Sequence, residues 1–553
     1  MALLAPFEAL YVWHFGVPSG PHVYAVVAES NFEELSTWVG ADWALQAMLG
    51  LAWLSAVVWA AHRWQGSAWV LSLRSRVALV ALGLCVLLPQ GIATGWINPL
   101  DQMVQEGDPE AAHLQHAVRS TPSGFGQFWE ATYPWGLPQR LIHWAEYRAA
   151  ARRHAQMSST HRFRLQVTGS DSMEDRLVVV LVIGEASRAD RWSLYGAKRN
   201  TTPQLLAMKP ELLVFRDAVA GASATREAIT LMLTRRPEEE PLGVRSEGSV
   251  VSAFRQAGFK TYWLSTQGNA GAHETPVSVM ASEAHERQFL SASDYRGRTA
   301  LDKELLPPLQ EILYRREPKV FVVLHTMGSH LHYANRYPLG LEPFQPALQR
   351  EQAPNIWRKE RLEELVNAYD NSLHYTDSFV AGVIHLLKNS GAIAQMNYMP
   401  DHGETLFDGA CPRGGHGFAS IANYHVPLVM WASEGWKARF AKRWQRLQSR
   451  QEAPVSALAV FPTLLGQAGI QLLDGVSHTD LGAEHWEPTA RPTAHFGDFD
   501  RNIATTACDA PASASPARAR STQNFVGRLG NHASTAPWSG AAPWRNSLIG
   551  LWS

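Results

Sequence analysis

From about Arg176 onward, hydrophobic positions come in short runs, the first of them β-branched. Arg176-Leu-Val-Val-Val-Leu-Val-Ile-Gly184 is continuous, the mark of a strand buried on both faces. Similar runs at Leu212–Phe215, Thr261–Leu264, Val320–Leu324, Ala394–Met399 and Val426–Trp431 predict further strands. Helical periodicity separates several of them, most clearly at Leu362, Leu365, Tyr369, Leu373, Thr376, Val380, Val383 and Leu387. Alternating strands and helices predict an α/β layered domain with a mainly parallel sheet over 173–485. The remainder, 486–553, loses this periodicity. From about 503 it is rich in Ala, Ser, Pro and Arg, which predicts disorder.

The first hundred residues are patterned differently. Trp43–Ala61 and Val77–Ile97 contain no charged residue, and each approaches the ~20 residues that cross a hydrocarbon core as helix. A pair of buried core helices is the alternative. Charge placement favours membrane spans within a membrane region 1–97. Residues 1–42 hold Glu8, Glu29, Glu33, Glu34 and Asp42 but no Lys or Arg, whereas the connector 62–76 holds Arg63, Arg74 and Arg76 and no acid. Cationic short loops stay in the cytoplasm, so the path reads out, in, out. Everything after about residue 98 is then expected outside the cytoplasm, with 98–172 forming interfacial helices and a linker, or solvated surface helices. No basic segment of a cleavable signal precedes the apolar stretch Ala2–Phe15. That stretch fits the stump of a longer helix, which would put further spans upstream.

Composition narrows the picture only at the margins. A net charge of −1 over 553 residues gives no basis for nucleic-acid binding through bulk basicity. Cys85, Cys411 and Cys508 are too few for a disulfide framework; at most one bridge, Cys411–Cys508, fits.

The candidate chemistry sits where strands end. In open α/β sheets the ligand site lies beyond the carboxyl ends of the strands. The first strand runs into Glu185, Val320–Leu324 into His325 with His330 behind it, and Ala394–Met399 into Asp401-His402-Gly403-Glu404. Carboxylates and imidazoles are ligands for Zn²⁺ and similar ions. Singly each has a plainer explanation: Asp-His-Gly as a loop turn, Glu185 as an acid in a first helical turn. Thr225 precedes a helical pattern through Ile229, Met232 and Leu233. Residue chemistry leaves two roles open for it, a helix N-cap or a metal-activated nucleophile, and the cap is the plainer.

The ensemble resembles the membrane-bound phosphoethanolamine transferases of the alkaline phosphatase and sulfatase superfamily. The resemblance is carried by Gly184-Glu185-Ala-Ser-Arg188 with Asn200-Thr-Thr-Pro203, by Ser223-Ala-Thr225-Arg, and by His325-Thr-Met-Gly-Ser-His330 with Tyr333 and Arg336-Tyr-Pro338. It continues in Asn367-Ala-Tyr-Asp-Asn371 and in Asp401-His-Gly-Glu404 with His416-Gly417. It implies an α/β/α sandwich preceded by transmembrane helices in a bacterial inner membrane, with the catalytic domain in the periplasm. It further implies one or two Zn²⁺, held by Glu185, Asp401, His402 and the nucleophile Thr225. His330, His416 and His325 would contact the phosphoryl group or a second zinc, and Gln267 matches a polar substrate contact. Phosphatidylethanolamine would be the donor, through a phosphoethanolamine-threonine intermediate, and the acceptor a lipopolysaccharide core, lipid A or periplasmic glucan. The same site would also suit a phosphoglycerol transferase or a phosphodiesterase or sulfatase; an inactive membrane protein is the remaining alternative. Two features depart from the family: Pro400 precedes Asp401 where a small polar residue is usual, and the cysteine pairs of the lipid A-modifying members are missing. The second points towards members acting on lipopolysaccharide core or glucan.

Overall fold

The computed structural model describes residues 160–168, 176–235, 247–268, 276–291 and 300–503, except for a few positions within 351–358, 410, 412, 474–478 and 495–496. It also describes a helical stretch at 50–56 and the helical residues Trp59 and Gln156. Among the described residues no helix is long and apolar enough to cross a membrane. The spans expected at 43–61 and 77–97 fall largely outside them, as do most of 98–172 and all of 504–553.

In chain order the principal elements are β1 (Leu177–Gly184), β2 (Leu212–Phe215), α1 (Thr225–Leu233), α2 (Val250–Gln256), β3 (Lys260–Gly268) and β4 (Glu286–Ser291). They continue with β5 (Lys319–His325), α3 (Leu362–Asn389), β6 (Ile393–Pro400) and β7 (Leu428–Ala432). The chain divides into two compact units. The main one comprises 164–235, 301–348 and 356–553; the other comprises 1–163, 236–300 and 349–355.

Within the main unit the strands lie in the order β2-β7-β6-β1-β5. β1 pairs in parallel with β5 and with β6, whereas β7 runs antiparallel to both β6 and β2. The sheet is therefore mixed. Each of the apolar runs became a strand, but a run of hydrophobic residues carries no direction, so the reversal of β7 was not legible. β1 is buried along its whole length, which for a strand of Leu, Val and Ile requires cover on both faces. α3 buries seventeen of its residues, among them Leu365, Leu373, Val380 and Leu387. Its first turn carries Glu363 and Glu364 and its last turn Lys388, so the side-chain charges complement the helix dipole. The helix Val460–Gln467 supplies further cover, and its Gln467 side chain accepts a 2.7 Å bond from the Asn397 amide of β6.

Pro400 sits at the carboxyl end of β6, where its missing N–H costs nothing. The ladder with β7 has already ended at the Tyr398–Val429 pair, and on the β1 side the Asp401 N–H donates to the Gly184 carbonyl at 3.1 Å. After β6 the chain turns through a short hairpin, in which Gly414 and Gly415 pair with Leu406 and Thr405. The buried Cys411 within it is disulfide-bonded.

In the other unit β3 and β4 pair in parallel, and α2 begins at Ser249, whose hydroxyl caps Val251. Glu283 closes over this helix start. Its Oε2 accepts from the Ser249 N–H at 3.0 Å, the Ser249 hydroxyl at 2.5 Å and the Ser252 N–H at 3.3 Å. Burial nonetheless pushes the carboxyl up from 4.5 to about 7, against these hydrogen bonds. A raised folded-state pKa stabilises the fold fully below the ordinary value, and that contribution is lost as pH rises through the folded value. Glu283→Gln keeps an acceptor at the Oε2 position and carries no charge. It is expected to match the wild type near pH 4.5 and to exceed it by up to about 3 kcal/mol at pH 8. Urea unfolding across that range checks this; parallel pH profiles for the two proteins would contradict it.

Candidate metal and phosphoryl-transfer site

The parallel register of β1 and β6 builds the site. It pairs Gly184 with Pro400, so that Glu185 and Asp401, the next residues on each strand, emerge side by side. Both are fully buried. The Ala186 and His402 N–H groups donate to Asp401 Oδ1 at 3.2 and 2.7 Å, which turns Oδ2 towards His402 Nε2, 3.4 Å away. His402 donates its Nδ1 proton to the Gly403 carbonyl at 2.7 Å, leaving Nε2 as the lone-pair nitrogen. Glu185 Oε1 lies 3.5 Å from that nitrogen.

Thr225 closes the fourth side. It is the first residue of α1, not its cap: Ala224 is the N-cap and makes no side-chain bond. The hydroxyl instead lies 3.4 Å from both Glu185 Oε2 and His402 Nε2, on a half-buried residue that remains open to a reactant. Of the two roles left open by the sequence, the helix cap is thereby excluded.

Ligand atoms of Glu185, Asp401 and His402 lie within 4.8 Å of one another. Burial lowers the pKa of His402, opposed by Asp401, so the ring is neutral at neutral pH. Two carboxylates facing each other across a neutral imidazole match a divalent cation in charge, and an O,O,N donor set with a hydroxyl beside it suits zinc with an exchangeable position.

A second group continues from the first. The His416 ring lies 4.3 Å from that of His402, and the His330 ring 6.2 Å from His416. His416 Nδ1 bonds Glu404 Oε2 at 2.7 Å, and Tyr333 donates its hydroxyl to Glu404 Oε1 at 2.7 Å. Burial opposes the charged form of His416, but Glu404 and Asp401 outweigh it and raise its pKa. Burial holds His330 well below the ordinary value and pushes His325 down to about 4, opposed by Asp401. His325 ends β5 in register with Ile183, two residues before Glu185. Gln267 lies near the end of β3 in the other unit, where its N–H bonds the Ser265 hydroxyl at 3.0 Å.

Several groups that shape the site carried no role in the sequence reading. Arg188 is buried; it forms ion pairs with Asp190 and Asp408, both at 2.7 Å, and donates to the Glu404 carbonyl at 3.2 Å. It thus ties the turn after β1 to the turn after β6. The Tyr369 hydroxyl of α3 donates to the Ala186 carbonyl and accepts from the Arg188 N–H. Arg188, Tyr333, Tyr369 and Glu404 all stand in the quoted motifs, so the signal was there without a role; Asp408 lies in an aperiodic hairpin and gave none.

Two glycines permit the close approaches. A Cβ on Gly403 would strike the Ala422 carbonyl. Gly328, at φ +46°, presses against the Glu185 backbone, and a Cβ there would lie 2.7 Å from its carbonyl oxygen and 2.8 Å from its nitrogen. The Ser329 N–H donates to that same carbonyl. Gly328→Ala is expected to cost about 2 kcal/mol or more, from a left-handed conformation plus backbone overlap, and to lower zinc affinity by displacing Glu185. Thermal unfolding with and without zinc measures both; an unchanged midpoint and unchanged zinc dependence would contradict the packing described.

Comparison with known proteins bears on the family and the fold. The sulfatase family model matches residues 178–470. Phosphoethanolamine transferase EptC of Escherichia coli K12 is 29% identical over 303 residues, covering 54% of this chain and 52% of EptC. The chain thus spans about half the length of the curated relatives it matches. The zinc complex of the C-terminal periplasmic domain of E. coli EptC superposes with a TM-score of 0.55 at 25% identity, covering 63% of this chain and 98% of that domain. The integral membrane lipooligosaccharide phosphoethanolamine transferase A of Neisseria meningitidis shares the fold, with a TM-score of 0.61 at 20% identity over 88% of this chain and 85% of its own.

Proposed function

The chain belongs to the sulfatase family, and on that footing we propose that it transfers phosphoethanolamine from phosphatidylethanolamine to a cell-envelope acceptor, a lipopolysaccharide core, lipid A or periplasmic glucan. The observation that carries this reading is Thr225 itself. Its half-buried hydroxyl, at the first position of a nine-residue helix and 3.4 Å from a carboxylate and an imidazole nitrogen, is not the helix cap, which supports a role as nucleophile. The likeness to phosphoethanolamine transferases supports the choice of donor.

Glu185, Asp401, His402 and Thr225 would hold the zinc, which supplies Lewis acidity that lowers the hydroxyl pKa and neutralises charge on the phosphoryl group. The protein's own groups do the rest. The start of α1 places Thr225 in a positive potential. The Thr225 oxygen attacks phosphorus and diacylglycerol leaves with the bridging oxygen; the acceptor oxygen then displaces Thr225 from the phosphoethanolamine-threonine. His416, His330 and His325 would contact the phosphoryl group, and Glu404 and Asp401, which raise the His416 pKa, favour a charge-stabilising role for that ring. The neutral His330 and His325 donate or accept hydrogen bonds without adding charge.

A two-chain lipid donor stays in the bilayer, which favours a site tethered to the membrane. The charge pattern of residues 1–110 favours a site outside the cytoplasm, the disulfide at Cys411 suits an oxidising compartment, and the likeness to the periplasmic domain of EptC supports the periplasmic side of the inner membrane.

Zinc-loaded protein given a fluorescent phosphatidylethanolamine is expected to release labelled diacylglycerol and to carry phosphoethanolamine on Thr225, detectable by mass spectrometry. Thr225→Ala should abolish the adduct and reduce release at least about 1,000-fold. Release that persists in Thr225→Ala, or labelled phosphatidic acid in place of diacylglycerol, would overturn the proposed route.

A further inference from the structure

Both carboxylate oxygens of Glu404 meet a neighbouring side chain at short range. Oε1 accepts the Tyr333 hydroxyl and Oε2 the His416 Nδ1 proton, each at 2.7 Å, and the side chain is fully buried. Its position among His402 and His416 would also suit a metal ligand. Both oxygens are nonetheless directed at side-chain donors 2.7 Å away, which favours a hydrogen-bonding role over coordination. Tyr333 is itself anchored, edge-on against Tyr369 with ring centres 5.2 Å apart, and the Glu404 carbonyl is held by Arg188.

His416 needs such an anchor. It follows directly on the hairpin that ends at Gly415, so main-chain pairing alone does not set its ring. A bond to Nδ1 fixes ring rotation and leaves Nε2 as the nitrogen that meets a reactant. We propose that Glu404 and Tyr333 are positioning residues that lock the orientation and tautomer of His416, and that neither binds zinc. The effect on turnover rests on the transfer reaction proposed above; the effect on the ring does not.

The test uses the full-length protein in detergent with ¹⁵N-labelled histidine, His416 being identified by subtraction of the His416→Asn spectrum. The wild type is expected to show a protonated Nδ1. Glu404→Gln retains an acceptor and should keep that signature, whereas Glu404→Leu should lose it. Turnover of phosphatidylethanolamine should fall about 10- to 100-fold in Glu404→Leu with KM nearly constant, recover largely in Glu404→Gln, and fall less in Tyr333→Phe. Zinc Kd should stay within about threefold of wild type in all three, against a rise of about 100-fold or more in Asp401→Asn. A zinc defect in Glu404→Gln as large as that of Asp401→Asn would make Glu404 a ligand and overturn the proposal. So would an unchanged His416 signature in Glu404→Leu. If Glu404→Leu does not fold, Tyr333→Phe carries the test, since a ring signature and turnover both identical to wild type would also refute it. If the wild type turns over no lipid, the functional reading fails while the resonance and zinc measurements still decide the positioning role.

Discussion

The site depends on one electrostatic constraint: two buried carboxylates, Glu185 and Asp401, held side by side at the ends of adjacent parallel strands. The register that pairs Gly184 with Pro400 leaves them no room to separate. Close carboxylates in a dry interior repel by several kcal/mol, and a fold retains them only where a cation or proton is recruited. The neutral His402 between them adds a lone pair and no charge. The remaining features follow from holding this pair and bringing a hydroxyl to it.

Four sequence-distant segments converge for that purpose. The turn after β1 is bound to the turn after β6 through Arg188 and its two aspartates. α3 reaches the same turn through the Tyr369 hydroxyl, and the histidine loop after β5 docks on the Glu185 main chain through Gly328 and Ser329. The carboxyl of Asp302 accepts the Met327 and Gly328 N–H groups at 2.8 and 3.0 Å, so the loop is held from both sides. Catalysis by positioning and charge neutralisation asks for a rigid frame of this kind, because the groups gain nothing if they must reorganise during reaction.

Much of this was legible in the sequence, for physical reasons that vary by residue. Strands buried on both faces announce themselves as β-branched runs. Whereas β6 shows only as a short, mostly apolar stretch before Asp401, β1 and β5 and the residues at their ends could be read directly. The direction of β7 could not, since burial alone decides its composition. Thr225 was ambiguous because a helix start accepts a hydroxyl either at the cap or one position later, and only the backbone at Ala224 distinguishes them. Pro400 looked disruptive until the neighbouring ladder was seen to stop two residues earlier. Glu404, Tyr333 and Asp408 act through partners 12 to 220 residues away in the chain, and no local pattern encodes such pairs.

The central claim, that of the proposed function, is that the paired carboxylates would be completed by a divalent ion that also touches the Thr225 hydroxyl. Anomalous diffraction at the zinc edge, from crystals of the zinc-loaded protein, measures this most directly. The account predicts a strong peak bounded by Glu185, Asp401, His402 and the Thr225 hydroxyl oxygen. A peak elsewhere, or one at these carboxylates with Thr225 turned away to cap its own helix, would contradict it.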